Sequence, residues 1–117
     1  MAIAQTHDAS VTGFLVTAAL ERYQACWDQL VERWFDRALC RATNAELAEI
    51  GKLIAALPQL SVEMTEVVMR HAQLLRALVR PVAPQERAAQ VGALKRKHSD
   101  AVAAIRRKCT ELFVSRG

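Results

Sequence analysis

The sequence predicts an all-α fold: an up-and-down antiparallel helical bundle of three to four helices, two of them long, that pairs into a dimer. Three observations carry this. Ala, Leu and Arg, strong helix formers, lead the composition of a 117-residue chain that has only four Gly and three Pro. Apolar residues recur at steps of three and four over long segments, and no segment alternates as a strand would. The connections between periodic segments are short, which favours antiparallel neighbours.

The length suits one domain. A 52% apolar, 24% charged composition can bury a core and excludes a disordered chain. Residues 1–9 lack periodicity and read as a flexible tail, leaving 10–117 as the bundle domain.

Ser10 is a candidate N-cap for a first helix over 10–41. Along it Val16, Leu20, Tyr23, Trp27, Leu30, Trp34 and Ala38 form a near-heptad stripe, as in a coiled coil. Thr43 and Glu46 have the capping-box form T-x-x-E, which places a second helix over 44–57 with Leu47, Ile50, Ile54 and Leu57 on one face. Pro58 disrupts helical bonding there. Ser61, Glu63 and Glu66 restart a helix to about residue 80, or continue one kinked helix. Its apolar face is Met64, Val67, Val68, His71, Leu74, Leu75 and Leu78. Pro84 suits the first turn of a last helix over 84–114, with Val91, Leu94, His98, Val102, Ile105, Cys109 and Leu112 as its stripe. Gly51 and Gly92 read as points of close helix approach.

The first helix carries more apolar surface than one stripe can use. Five of the six aromatics, Phe14, Tyr23, Trp27, Trp34 and Phe35, belong to it, and Phe14 and Leu15 fall outside the arc through Trp27 and Trp34. The stripe is core or dimer seam. Phe14, Leu15, Tyr23, Trp27, Trp34 and Phe35 are therefore the expected dimer or partner interface. A second copy is the commonest cover for such a surplus; the tail or another protein is the alternative.

Charge is one-sided. Residues 1–84 hold eight Lys/Arg and nine Asp/Glu, whereas 85–117 hold eight and three. Lys95-Arg96-Lys97 is echoed by Arg106-Arg107-Lys108 at an offset of eleven residues, close to three helical turns. The two triplets thus lie on one side of the helix and suit an anionic partner, either phosphates or an acidic protein face. Each triplet also has an acid four residues on, Asp100 for Arg96 and Glu111 for Arg107, which reads as ordinary helix-surface pairing. No aromatic interleaves the basic residues, so a base-stacking platform is missing. A helix-turn-helix at 45–70 fits poorly, because its second helix opens on Glu63 and Glu66.

Other chemistry finds little footing. The E-x-x-H of carboxylate di-iron bundles is missing, as are the P-loop, G-x-S-x-G and G-x-G-x-x-G. No metal, cofactor or catalytic residue is expected. His71 and His98 interrupt apolar stripes and are candidates to meet in the core, where a pair of imidazoles could sense pH. Cys26, Cys40 and Cys109 are odd in number with no C-x-x-C, which fits small buried thiols in a reducing cytoplasm. The longest uncharged run, 9–20, is too short to span a bilayer, so no membrane is expected.

In size and pattern the chain is similar to the small all-helical chaperones of flagellar and type III secretion, which are short, cytoplasmic and often dimeric. The likeness assigns no residue a role. The expected function is a non-enzymatic protein–protein interaction module acting as a homodimer. A small nucleic-acid-associated regulator using Lys95, Arg96, Lys97, Arg106, Arg107 and Lys108 is the alternative.

Overall fold

The computed structural model describes residues 9–34 and 36–116, with side chains placed for 11–34 and 36–112. Four α-helices and no strand occur among them: α1 (Ala9–Glu32), α2 (Arg37–Ile54), α3 (Ser61–Leu78) and α4 (Pro84–Arg116). Helix α1 packs against α2 and α4, α3 packs along α4, and α2 touches α3 more lightly. The expected tail falls outside the described residues, apart from Ala9, which already belongs to α1. Ser10 is therefore inside the helix rather than its cap.

The first long helix is shorter than the stripe implies. It ends at Glu32, and two backbone bonds, Arg33 N–H to Gln29 O at 3.0 Å and Trp34 N–H to Val31 O at 3.3 Å, close its last turn. Trp34 then takes a left-handed conformation, φ 51°, a position that glycine fills more often. Asp36 caps the next helix, its side chain accepting from Leu39 N–H at 3.0 Å. The 3.6-residue rhythm runs across this break, so periodicity alone conceals it. The expected break at Thr43 is not there. Thr43 is wholly buried inside α2, and its hydroxyl donates to Leu39 O at 2.7 Å.

Residues 44–80 form two helices, with a 3-10 turn over Pro58–Leu60 between them. Leu57 and Leu60 anchor that turn in the core, 2% and 0% exposed. Pro84 opens α4 as expected.

The interior joins all four helices. Val16, Leu20, Tyr23, Trp27 and Leu30 enter from α1, Ile50 and Ile54 from α2, Val67, Leu74 and Leu78 from α3, and Val91, Val102, Ile105 and Cys109 from α4. Burying one such large apolar side chain stabilises the fold by roughly 1.5–3 kcal/mol. Val68, expected in the core, is exposed. Cys26 and Cys40 are half-buried, and only Cys109 is the buried thiol expected of all three. Gly92 is no close-approach point: a Cβ there would meet nothing within 4 Å. At Gly51 a Cβ would make an ordinary contact with Met64 at 3.8 Å.

Polar links bind the helices across their surfaces. Arg22 of α1 reaches Glu46 of α2 at 3.3 Å, and Lys108 of α4 reaches Glu63 of α3 at 3.0 Å. The Lys108 ammonium holds the Glu63 carboxyl below its ordinary range. Arg87 of α4 donates to the carbonyls of Arg80 and Val82, and its guanidinium lies 5.9 Å from the centre of the Trp34 ring. One side chain thus ties the α3–α4 connection to the α1–α2 turn. No helix among the described residues is long and apolar enough to cross a membrane.

Candidate functional site

A cluster of four rings lies in the interior where the helices meet. Tyr23 and Trp27, four residues apart on α1, share one face by helical geometry. His71 of α3 and His98 of α4 close on them. Tyr23 and Trp27 are 0% exposed, His98 1% and His71 6%. The Tyr23 and His71 rings stack at 5.8 Å and 15°, and Trp27 meets His71 edge-on at 5.1 Å and 78°. His98 leans on both aromatic rings, at 5.3 Å and 5.5 Å.

The hydrogen bonds fix where the protons are. The Tyr23 hydroxyl lies 2.7 Å from His71 Nδ1 and 2.8 Å from His98 Nε2. Trp27 Nε1 approaches the same His71 Nδ1 at 3.3 Å. An indole N–H can only donate, so His71 Nδ1 carries the lone pair. His71 Nε2 then bears the hydrogen and donates to Asn44 Oδ1 of α2 at 2.8 Å. The Tyr23 hydroxyl donates to His71 Nδ1 and accepts from His98 Nε2–H. One proton arrangement satisfies every contact: it ties α1 to α3 and α4 directly, and α3 to α2 through Asn44.

Burial depresses both imidazoles. His71 is pushed down to about 4 by desolvation alone. His98 is pushed down to about 4 by desolvation first, then by His71 and Lys95, with Asp28 opposing. Burial also pushes the Tyr23 phenol well above its ordinary value. The interior therefore holds neutral rings at neutral pH. No group of three or more His, Cys, Asp or Glu able to hold an ion occurs among the described residues.

The expected interface residues divide. Tyr23 and Trp27 belong to the interior of a single chain and are closed to any partner in this conformation, so the core reading of that stripe holds for them. Phe14 is 60% exposed and Leu15 47%, both on the outer side of α1. Trp34 is 44% exposed beneath Arg87, beyond the end of α1 rather than on its stripe. Phe35 lies outside the described residues.

The basic triplets also divide. Lys95 binds Asp28 of α1 at 2.6 Å, Arg106 donates to Gln24 of α1 at 2.9 Å, and Lys108 binds Glu63. Lys95 and Arg106 are the equivalent first members of the two triplets, so the eleven-residue offset places both against α1. Arg96, Lys97 and Arg107 point to solvent. The expected pairs Arg96–Asp100 and Arg107–Glu111 are not among the ion pairs of the described residues.

Sequence reasoning picked out both histidines but missed their partners. Nothing marks Asn44 in the sequence, and the Tyr23 hydroxyl was masked by the apolar rhythm around it. No protein-family model matches the chain, and no curated protein or solved structure matches it.

Proposed function

We propose that this protein is a non-enzymatic protein–protein interaction module that works as a homodimer of up-and-down four-helix bundles, joined through the outer face of α1. The observation that carries this is the exposure of Phe14 and Leu15, opposite the buried arc of Val16, Leu20 and Tyr23. Residues 11–20 carry no charged side chain, so no charge within this segment screens the face. Two copies meeting there would cover the same apolar patch on each protomer, as a two-fold interface requires. The ion pairs across α1–α2, α1–α4 and α3–α4 fit the up-and-down order, with Asn44 and His71 meeting across α2–α3.

Sedimentation equilibrium tests the reading. The wild type is expected at twice the chain mass in the micromolar range. A Phe14→Glu/Leu15→Glu variant is expected at the chain mass with unchanged far-UV circular dichroism, since both side chains lie outside the core. A wild type that sediments as a single chain across that range sinks the dimer.

The nucleic-acid alternative keeps one supporting observation. Arg96, Lys97 and Arg107 face solvent, and Arg76 and Arg80 line the neighbouring α3–α4 groove. None of the five takes part in an ion pair among the described residues. If they bind phosphates, a mixed-sequence DNA duplex should bind with a steep salt dependence, and Arg96→Glu/Arg107→Glu should weaken it by at least tenfold at low salt. The interaction reading expects no duplex binding, even at low salt.

A further inference from the structure

The Tyr23 bridge leaves no room for another proton. A proton added to His71 Nδ1 meets two donors already aimed at that atom, the Tyr23 hydroxyl and the Trp27 indole. Tyr23 could turn its hydrogen towards His98, provided His98 changed tautomer, but Trp27 would still face an N–H. A proton added to His98 leaves the Tyr23 bond intact and sets a full positive charge in the interior. An unpaired buried charge is among the costliest features a fold can carry.

The groups that reach the pair offer no rescue. Helix α1 supplies Tyr23 and the carboxylate of Asp28. Helix α2 supplies Asn44, which is neutral. Helix α3 supplies His71 itself, and α4 supplies His98 and Lys95, whose charge opposes protonation. Asp28 is the group that would favour a cation, but it is 67% exposed and already bound to Lys95 at 2.6 Å.

We propose that the His71–Tyr23–His98 bridge is an acid-sensitive latch, which holds α1 against α3 and α4 at neutral pH and lets go when the imidazoles take up protons. Letting go bares Tyr23, Trp27 and the apolar inner face of α1, a surface that the closed bundle hides. This inference does not rest on dimerisation through the outer face of α1.

The sign follows from where each form takes up protons. In the open form the imidazoles protonate near the ordinary value of about 6.5. In the closed form they protonate only near 4. Between those values the open form holds more protons, so falling pH favours it. The closed state has its full advantage above about pH 6.5, loses it progressively on descent, and loses no more below about pH 4. Each imidazole lowers the closed-to-open ratio by about 10²-fold across that window.

The test uses the full chain. In a Trp34→Phe background Trp27 is the remaining indole, since the sequence has two. Its emission and the binding of anilinonaphthalene sulfonate are followed from about pH 7 to about pH 4. The expected result is a red shift of Trp27 and a rise in dye binding within that window. With His71→Gln and His98→Gln added, the midpoint should move down by at least one pH unit, which separates the imidazoles from the carboxylates that also titrate on acidification. If that variant does not fold, histidine resonances of the wild type replace it. His71 and His98 should then stay neutral in the closed state until close to pH 4. The latch is overturned if Trp27 stays buried down to pH 4, if the glutamine variant keeps the wild-type midpoint, or if either imidazole titrates near 6.5 in the closed protein.

Discussion

Trp27→Ala is expected to destabilise the fold by about 3–5 kcal/mol, the usual cost of emptying a large aromatic site in a core. Three features place Trp27 at the upper end. It is wholly buried, it packs against both imidazoles, and its indole N–H points at His71 Nδ1. Truncation would open a void at the junction of the helices, where no single element can collapse to fill it. Domains of this size are stable by only ~5–15 kcal/mol, so the loss is a large fraction of the whole. Urea denaturation at neutral pH, followed by far-UV circular dichroism, measures it. Trp27→Phe is the control, since it keeps much of the volume and should cost distinctly less. A loss below about 1 kcal/mol for Trp27→Ala would mean that the four rings do not pack as described.

What the sequence discloses and conceals follows from what each signal measures. Periodicity reports which side of a helix is apolar, so the inward faces of α1 and α4 were legible, Val16 to Leu30 and Val91 to Cys109. It does not report where a helix stops. Trp34 and Ala38 keep the rhythm of α1, and the break between them depends on a left-handed Trp34 and the Asp36 cap. Asp36 was the available signal, but a capping residue inside an unbroken stripe carries little weight beside the T-x-x-E at Thr43. The candidate site was half legible for a similar reason. A histidine on an apolar stripe stands out by its polarity, whereas Tyr23 and Trp27 blend into the stripe as bulk. Their polar atoms matter only once α3 and α4 bring His71 and His98 to them, and that is tertiary information. The exposed surplus at Phe14 and Leu15 was legible because it breaks the pattern. The regularity of the basic triplets reflects in part a repeated contact with α1, made by Lys95 and Arg106, which the sequence alone does not show.

Tyr23→Phe is the sharper probe of the network, because it removes one oxygen and leaves no cavity. The phenyl ring left by this change would still stack on His71, but His98 Nε2–H would lose its acceptor, and His71 Nδ1 would keep only the longer approach of Trp27 at 3.3 Å. A buried donor left without a partner costs about 1–3 kcal/mol, so the variant is expected to lose roughly 2–3 kcal/mol with its helicity unchanged. The decisive comparison is the cycle with His98→Leu. That change alone takes away the donor that Tyr23 accepts, and combined with Tyr23→Phe it removes both ends of one hydrogen bond. The double variant should then cost less than the two singles together, by a coupling of about 1–2 kcal/mol. Costs that simply add would mean that the Tyr23–His98 bond is not made in solution. The double variant should also be less acid-sensitive than the Tyr23→Phe single variant, since it keeps one buried imidazole instead of two. That outcome joins stability to proton uptake through one oxygen atom, which a core held together by shape alone would not do.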